Sequence, residues 1–139
     1  FKFWKCARFI KSQDELNALR EAVKANFLLL KDTHIYNAAG SSWPSCSINE
    51  FQAFAKRCSF VDANVPSSTI DRLFIQANVE LVDQQENPDR SLIRFEFIEL
   101  LIRIANDKYF RQGQAATPTE AFLKLIEDNV KVGSQAAQW

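Results

Sequence analysis

A chain of 139 residues with 47% apolar and 24% charged residues has the composition of one globular domain, one that buries roughly two-thirds of its unfolded surface. Formal net charge is zero, so overall charge selects no partner. Three widely spaced cysteines, Cys6, Cys46 and Cys58, exclude a disulfide framework and favour a reducing, cytosolic compartment.

Charge is nevertheless uneven. Residues 1–31 carry seven Lys and Arg against three Asp and Glu, a net +4, whereas residues 59–102 carry three against eight, a net −5. No apolar run approaches the roughly 18 residues of a membrane span. The N-terminal aromatics alternate with lysines, unlike a secretory signal. The chain contains no Met, as expected of a segment from within a longer translated product.

Residues 1–13 read as a basic amphipathic helix, with Phe3, Cys6, Ala7 and Ile10 on one side and Lys2, Lys5, Arg8 and Lys11 largely opposite. Ser12-Gln-Asp-Glu15 is a capping box. The helix it starts carries Leu16, Leu19, Val23, Phe27 and Leu30 at spacings of three and four, and the pattern continues to about Tyr36. Gly40-Ser-Ser-Trp-Pro44 breaks it. Ser47-Ile-Asn-Glu50 is a second box, opening a helix with Ile48, Phe51, Phe54, Ala55 and Cys58 on one face. Ser68 with Asp71 opens a third, bearing Ile70, Leu73, Phe74 and Ala77. A polar loop spans about 82–91, and the most apolar helix follows, marked by Phe95, Ile98, Leu101, Ile102, Ala105 and Tyr109. Thr117-Pro118-Thr119-Glu120 combines a Thr cap, Pro at the first helical position and a closing Glu. It starts a helix over 117–132. No strand period is present, and the expected fold class is all-α in a single domain, 1–139.

One phrase occurs twice: an apolar residue followed by Glu-Phe four and five places on, as Cys46…Glu50-Phe51 and as Leu92…Glu96-Phe97. Each lies after a helix and a loop and leads into another helix. Here the chain resembles the EF-hand (calmodulin-like) superfamily, as a degenerate pair over residues 14–110. The resemblance implies that Cys46 and Leu92 pair across the two loops, that Glu50 and Glu96 take the position of the bidentate acid, and that Phe51 and Phe97 begin the core face of each exit helix. The strings 95–105 with Lys108-Tyr109, and Gly40-Ser-Ser with 46–51, also resemble EF-hand-like modules of large ciliary and flagellar proteins in protists. That implies an axonemal or cytoskeletal setting.

Calcium needs six to eight oxygen ligands and a Gly at the sharp turn. Counting back from Glu50 places Ala39, Ser41, Trp43 and Pro44 at those positions; counting back from Glu96 places Gln85, Asn87, Asp89 and Arg90. In the second loop Asp89 and Glu96 are acceptable ligands, but Arg90 stands where Gly belongs and Glu80, Asp83 and Glu86 lie in an insertion, so no metal and no cofactor is expected. A calcium-responsive regulatory protein using the non-standard second loop is the alternative.

Other chemistry has little foothold. His34 is the sole histidine; a thiol–imidazole pair with Cys46 or Cys58 lacks an orienting third group, and the cysteines read as small buried apolar residues. Glu96 and Glu99 read as a solvated helix edge. Three distant glycines exclude a phosphate-cradling loop. Twelve Phe without any Met describe a stiff core rather than the adaptable groove of a calcium sensor. The expectation is a non-enzymatic, calcium-independent structural or protein-interaction module in a cytoplasmic assembly, with a cilium or flagellum axoneme as the narrower setting. Its groove, lined by Phe51, Phe54, Phe97, Ile98 and Leu101, would receive a partner helix, a cytoskeletal surface or the chain's own segment 118–132. Nucleic acid and membrane-surface contact are not expected of the basic segment, whose cations read as the wet side of a docked helix.

Overall fold

Asn26 divides what the periodicity presents as one long helix. The computed structural model describes residues 12–38, 48–63, 65–78 and 94–131. In it α1 covers Gln13–Ala25 and α2 covers Phe27–Ala38. Asn26 lies between them at φ −113°, ψ 15°, outside the helical region. Its side-chain amide donates to the Ala22 carbonyl at 2.9 Å, and its own carbonyl accepts from Leu30 N–H at 3.0 Å. One residue therefore closes α1 and opens α2. The expected unbroken helix to Tyr36 fails because a short amide side chain competes for the backbone partners that continuation needs.

Four more helices follow among the described residues: α3 over Ile48–Arg57, α4 over Ser67–Asn78, α5 over Arg94–Ala105 and α6 over Pro118–Leu125. The fold is all-α, with no strand among the described residues. Helices α5 and α6 each run on into a π-helical turn, Asn106–Phe110 and Ile126–Val130. There the hydrogen bonds span five residues, as in Arg111 N–H to the Asn106 carbonyl at 2.9 Å.

The termini of these helices obey local rules. Ser12 Oγ accepts from Glu15 N–H at 3.3 Å, and Thr117 Oγ1 from Glu120 N–H at 3.1 Å, as their boxes predict. Helix α4 begins at Ser67, one residue before Ser68, with Pro66 at the cap position, so Ser68 is not its cap. Helix α3 ends with Ser59 at φ 58°, Phe60 N–H bonded to the Ala55 carbonyl at 3.0 Å and Ser59 N–H to that of Lys56 at 3.2 Å. That is a Schellman turn, with serine where glycine is usual.

Helix α5 is central and packs against α4, α6 and α2, while α1 lies on α6 and α3 contacts α2 and α4. Every residue from Glu96 to Ile102 is buried. Phe51, Phe54, Phe60, Phe74 and Phe97 meet edge-on or tilted, with Phe51 and Phe97 centroids 5.8 Å apart and Phe54 and Phe60 5.5 Å apart. Such pairs stabilise by about 0.5–1.5 kcal/mol beyond area burial. Phe122 and Leu125 of α6 are also fully buried.

Polar ties lock this arrangement. Tyr109 donates its hydroxyl to Asn129 Oδ1 at 2.6 Å, and the Asn129 amide donates to the Cys58 carbonyl at 2.7 Å. The π-helical extensions of α5 and α6 are thereby tied to the end of α3. Lys108, 7% exposed, reaches the Asp62 carboxylate and the Phe60 carbonyl.

Candidate interaction surface

The five residues expected to line a partner groove do converge, but inward. Phe51, Phe97 and Leu101 are 0% exposed, Phe54 1% and Ile98 2%. They are the centre of the core, filled by Phe60 and Phe74 around the aromatic cluster and closed by the packing of α6 on α5. The basic residues Lys2, Lys5, Arg8 and Lys11 lie outside the described residues. So do Asp89, the Cys46–Leu92 pairing, and most of both loops that carry the EF-hand resemblance.

Glu96 and Glu99 are both 1% exposed, which corrects their reading as a solvated edge: α5 is covered from several sides, so even its acidic positions face protein. Glu99 accepts from Arg103 Nε at 3.1 Å, the pairing that makes burial of a carboxylate tolerable. His34 is 3% exposed and meets the edge of Phe97, centroids 5.2 Å apart. Cys58 is 2% exposed, and burial pushes its thiol up to about 12, with Arg57 opposing weakly. It is a packing residue, not a nucleophile.

A polar cleft lies between α4 and the end of α5. It encloses about 210 Å³ and is lined by Arg72, Leu73, Gln76, Arg103, Asn106, Asp107 and Arg111. An adjoining lobe of about 280 Å³ shares Arg72, Asp107 and Arg111 and adds Thr69 and Gln112. Asp107 Oδ2 lies 3.6 Å from an Arg72 nitrogen, and its Oδ1 lies 3.3 Å from Arg111 Nη1. One carboxylate, 14% exposed, thus holds two guanidinium side chains that are 55% and 65% exposed. On the inner side Arg103 pairs with Glu99 and donates to Gln76 Oε1 at 3.4 Å.

This site follows from a pattern in the chain. Glu99, Arg103, Asp107 and Arg111 alternate in sign at steps of four. In an α-helix four residues overshoot a turn of about 3.6; in a π-helical turn, with bonds spanning five residues, four fall short. The two errors oppose each other, so Asp107 and Arg111 stay near the line that Glu99 and Arg103 begin. Across from this ladder stand Arg72 and Gln76, also four apart, on one face of α4. The alternating charges are the signal that points to the cleft from sequence; the partners on α4 have none.

Among the described residues, no group of three or more His, Cys, Asp and Glu is placed to hold a metal ion. No helix there is long and apolar enough to cross a membrane. Neither the family models, nor the curated proteins, nor the solved structures compared with this chain match it.

Proposed function

We propose that the chain is a calcium-independent structural and protein-interaction module of a cytoplasmic assembly, the ciliary or axonemal setting resting on the resemblance alone. The observation that supports this reading is the cleft between α4 and α5. It is open and polar, and it presents two guanidinium groups paired with one carboxylate. The apolar residues expected to line a partner groove are buried in the core, and the cleft is the concave polar feature left for recognition. Arginine in a fixed fork suits protein recognition, since it is enriched where binding energy concentrates at interfaces.

In-cell cross-linking followed by mass spectrometry, with calcium and with a chelator, tests the reading. The expected result is one set of cross-linked neighbours under both conditions, depleted by the Arg72→Glu, Arg111→Glu double variant. Neighbours that appear only with calcium would overturn it. So would calorimetric calcium binding in the micromolar range that is abolished by Glu96→Gln while the helical circular dichroism is retained.

A further inference from the structure

We propose that the α4–α5 cleft is a carboxylate-binding site that receives an acidic side chain from an extended segment of a protein partner. This rests on the interaction-module reading and names the chemistry of the partner.

Charge argues for it first. Among the described residues, two guanidinium groups at the cleft, on Arg72 and Arg111, share the one carboxylate of Asp107. One positive charge is left over. A single carboxylate neutralises it, whereas a phosphomonoester, bearing about −1.5 to −2 at neutral pH, overshoots it beside Asp107. Donor geometry argues second. Each guanidinium carries five N–H donors in a planar fork that matches a carboxylate. Arg72 and Arg111 approach Asp107 at 3.6 and 3.3 Å, and their side chains remain 55% and 65% exposed, so donors stay available to a ligand. Arg103 is committed to Glu99 and Gln76 and contributes its field from within.

Size and shape argue third. At about 210 Å³ the inner lobe is below the roughly 300–1,000 Å³ of pockets that enclose whole small molecules, but it admits one side chain. The outer lobe, with Thr69 and Gln112 beside the same Arg72–Asp107–Arg111 bridge, supplies neutral donors and acceptors suited to the peptide backbone on either side of that side chain. The bridge therefore acts as a rest across which an extended segment lies.

Fluorescence anisotropy of the whole chain with three labelled decapeptides tests this: one alternating Glu and Ser, its Gln analogue, and an analogue with phosphoserine in place of Glu. The Glu peptide is expected to bind, to weaken as salt rises, and to lose roughly tenfold or more in affinity to the Arg72→Gln, Arg111→Gln double variant. Lys56→Gln, an exposed cation on α3, should leave binding unchanged, and thermal melts should show all variants folded. The Gln peptide should not bind. Absence of Glu-peptide binding, equal loss with Lys56→Gln, or preference for the phosphoserine peptide would each overturn the proposal. If any of these occurs while cross-linked neighbours still depend on Arg72 and Arg111, the ligand class falls and the interaction reading stands. If the neighbours are also indifferent to those arginines, both fall.

Discussion

The carboxylate of Glu15 accepts two hydrogen bonds from Thr119, one from its backbone N–H at 2.9 Å and one from its hydroxyl at 2.6 Å. Glu15 belongs to the box that starts α1, and Thr119 to the box that starts α6. Rather than reaching back to its own helix, Glu15 satisfies an otherwise open N–H in the first turn of a helix 104 residues away. Its negative charge also suits the positive end of α6. Glu15→Ala is expected to lower stability by about 1–2 kcal/mol and Glu15→Gln by about half as much, since the amide still offers an acceptor. Urea unfolding followed by circular dichroism checks this; an unchanged midpoint in Glu15→Ala would show that the latch carries no net energy.

Asn129 is 6% exposed and sits between the Tyr109 hydroxyl and the Cys58 carbonyl. Asn129→Leu keeps the approximate volume but strands a buried donor and a buried acceptor. The expected loss is about 2–4 kcal/mol. Tyr109→Phe removes only the hydroxyl and should cost about 1 kcal/mol. Because the two residues share one hydrogen bond, the double variant should lose less than the sum of the singles. Strict additivity in a double-mutant cycle would contradict the network.

At Ser59, φ is 58°, a conformation that costs a residue with a Cβ roughly 1–2 kcal/mol. Ser59→Gly is expected to stabilise the fold by about 0.5–1 kcal/mol, the gain being reduced by glycine's greater freedom in the unfolded chain. Ser59→Val should destabilise by more than 1 kcal/mol. A lower thermal midpoint for the glycine variant would mean that the Schellman turn ending α3 is not under strain.

Burial pushes the Cys58 thiol from 9.0 up to about 12. The unfolded chain therefore loses this proton first. The stabilisation is fully present below about pH 9 and is lost as pH rises from there through about 12. Tyr109 moves in the same sense, raised chiefly by burial and next by Asp128, and adds to the loss above pH 10. The urea midpoint should fall in alkaline solution by an amount equivalent to about 1 kcal/mol near pH 10 from Cys58 alone, and Cys58→Ala should flatten part of that slope. In a Cys6→Ser, Cys46→Ser background, a thiol reagent should label the folded protein only as fast as it opens. Prompt labelling at neutral pH would refute the buried placement.

Periodic and capping signals proved legible at several of the described helices. Thr117 caps α6 and Ser12 caps α1 as their strings predict, and Phe97, Ile98, Leu101 and Ile102 form the buried core of α5. The misreadings have local physical causes. The apolar spacing of the sequence runs past Asn26, but the helix is interrupted there and Phe27, expected on the buried face, is 40% exposed. Pro66, which has no capping side chain, holds the cap position of α4. Glu99 looks solvated because carboxylates usually are, whereas its pairing with Arg103 at 3.1 Å helps make its burial tolerable.

Sequence alone determined the helical period, several helix starts and much of the inventory of core residues, because these depend on interactions within about four positions along one helix. It also contains the alternating ladder Glu99, Arg103, Asp107, Arg111. Tertiary structure decided which way that inventory faces. Phe51, Phe54 and Phe97 look equally suited to a groove or a core, and only the arrival of Phe60, Phe74 and α6 closes them inside. It likewise decided that Arg72 meets Asp107 and that Glu15 meets Thr119, contacts spanning 35 and 104 residues. No local propensity encodes such pairs. They form when burial of the shared apolar faces brings the helices together and leaves their polar groups to find partners in what remains exposed.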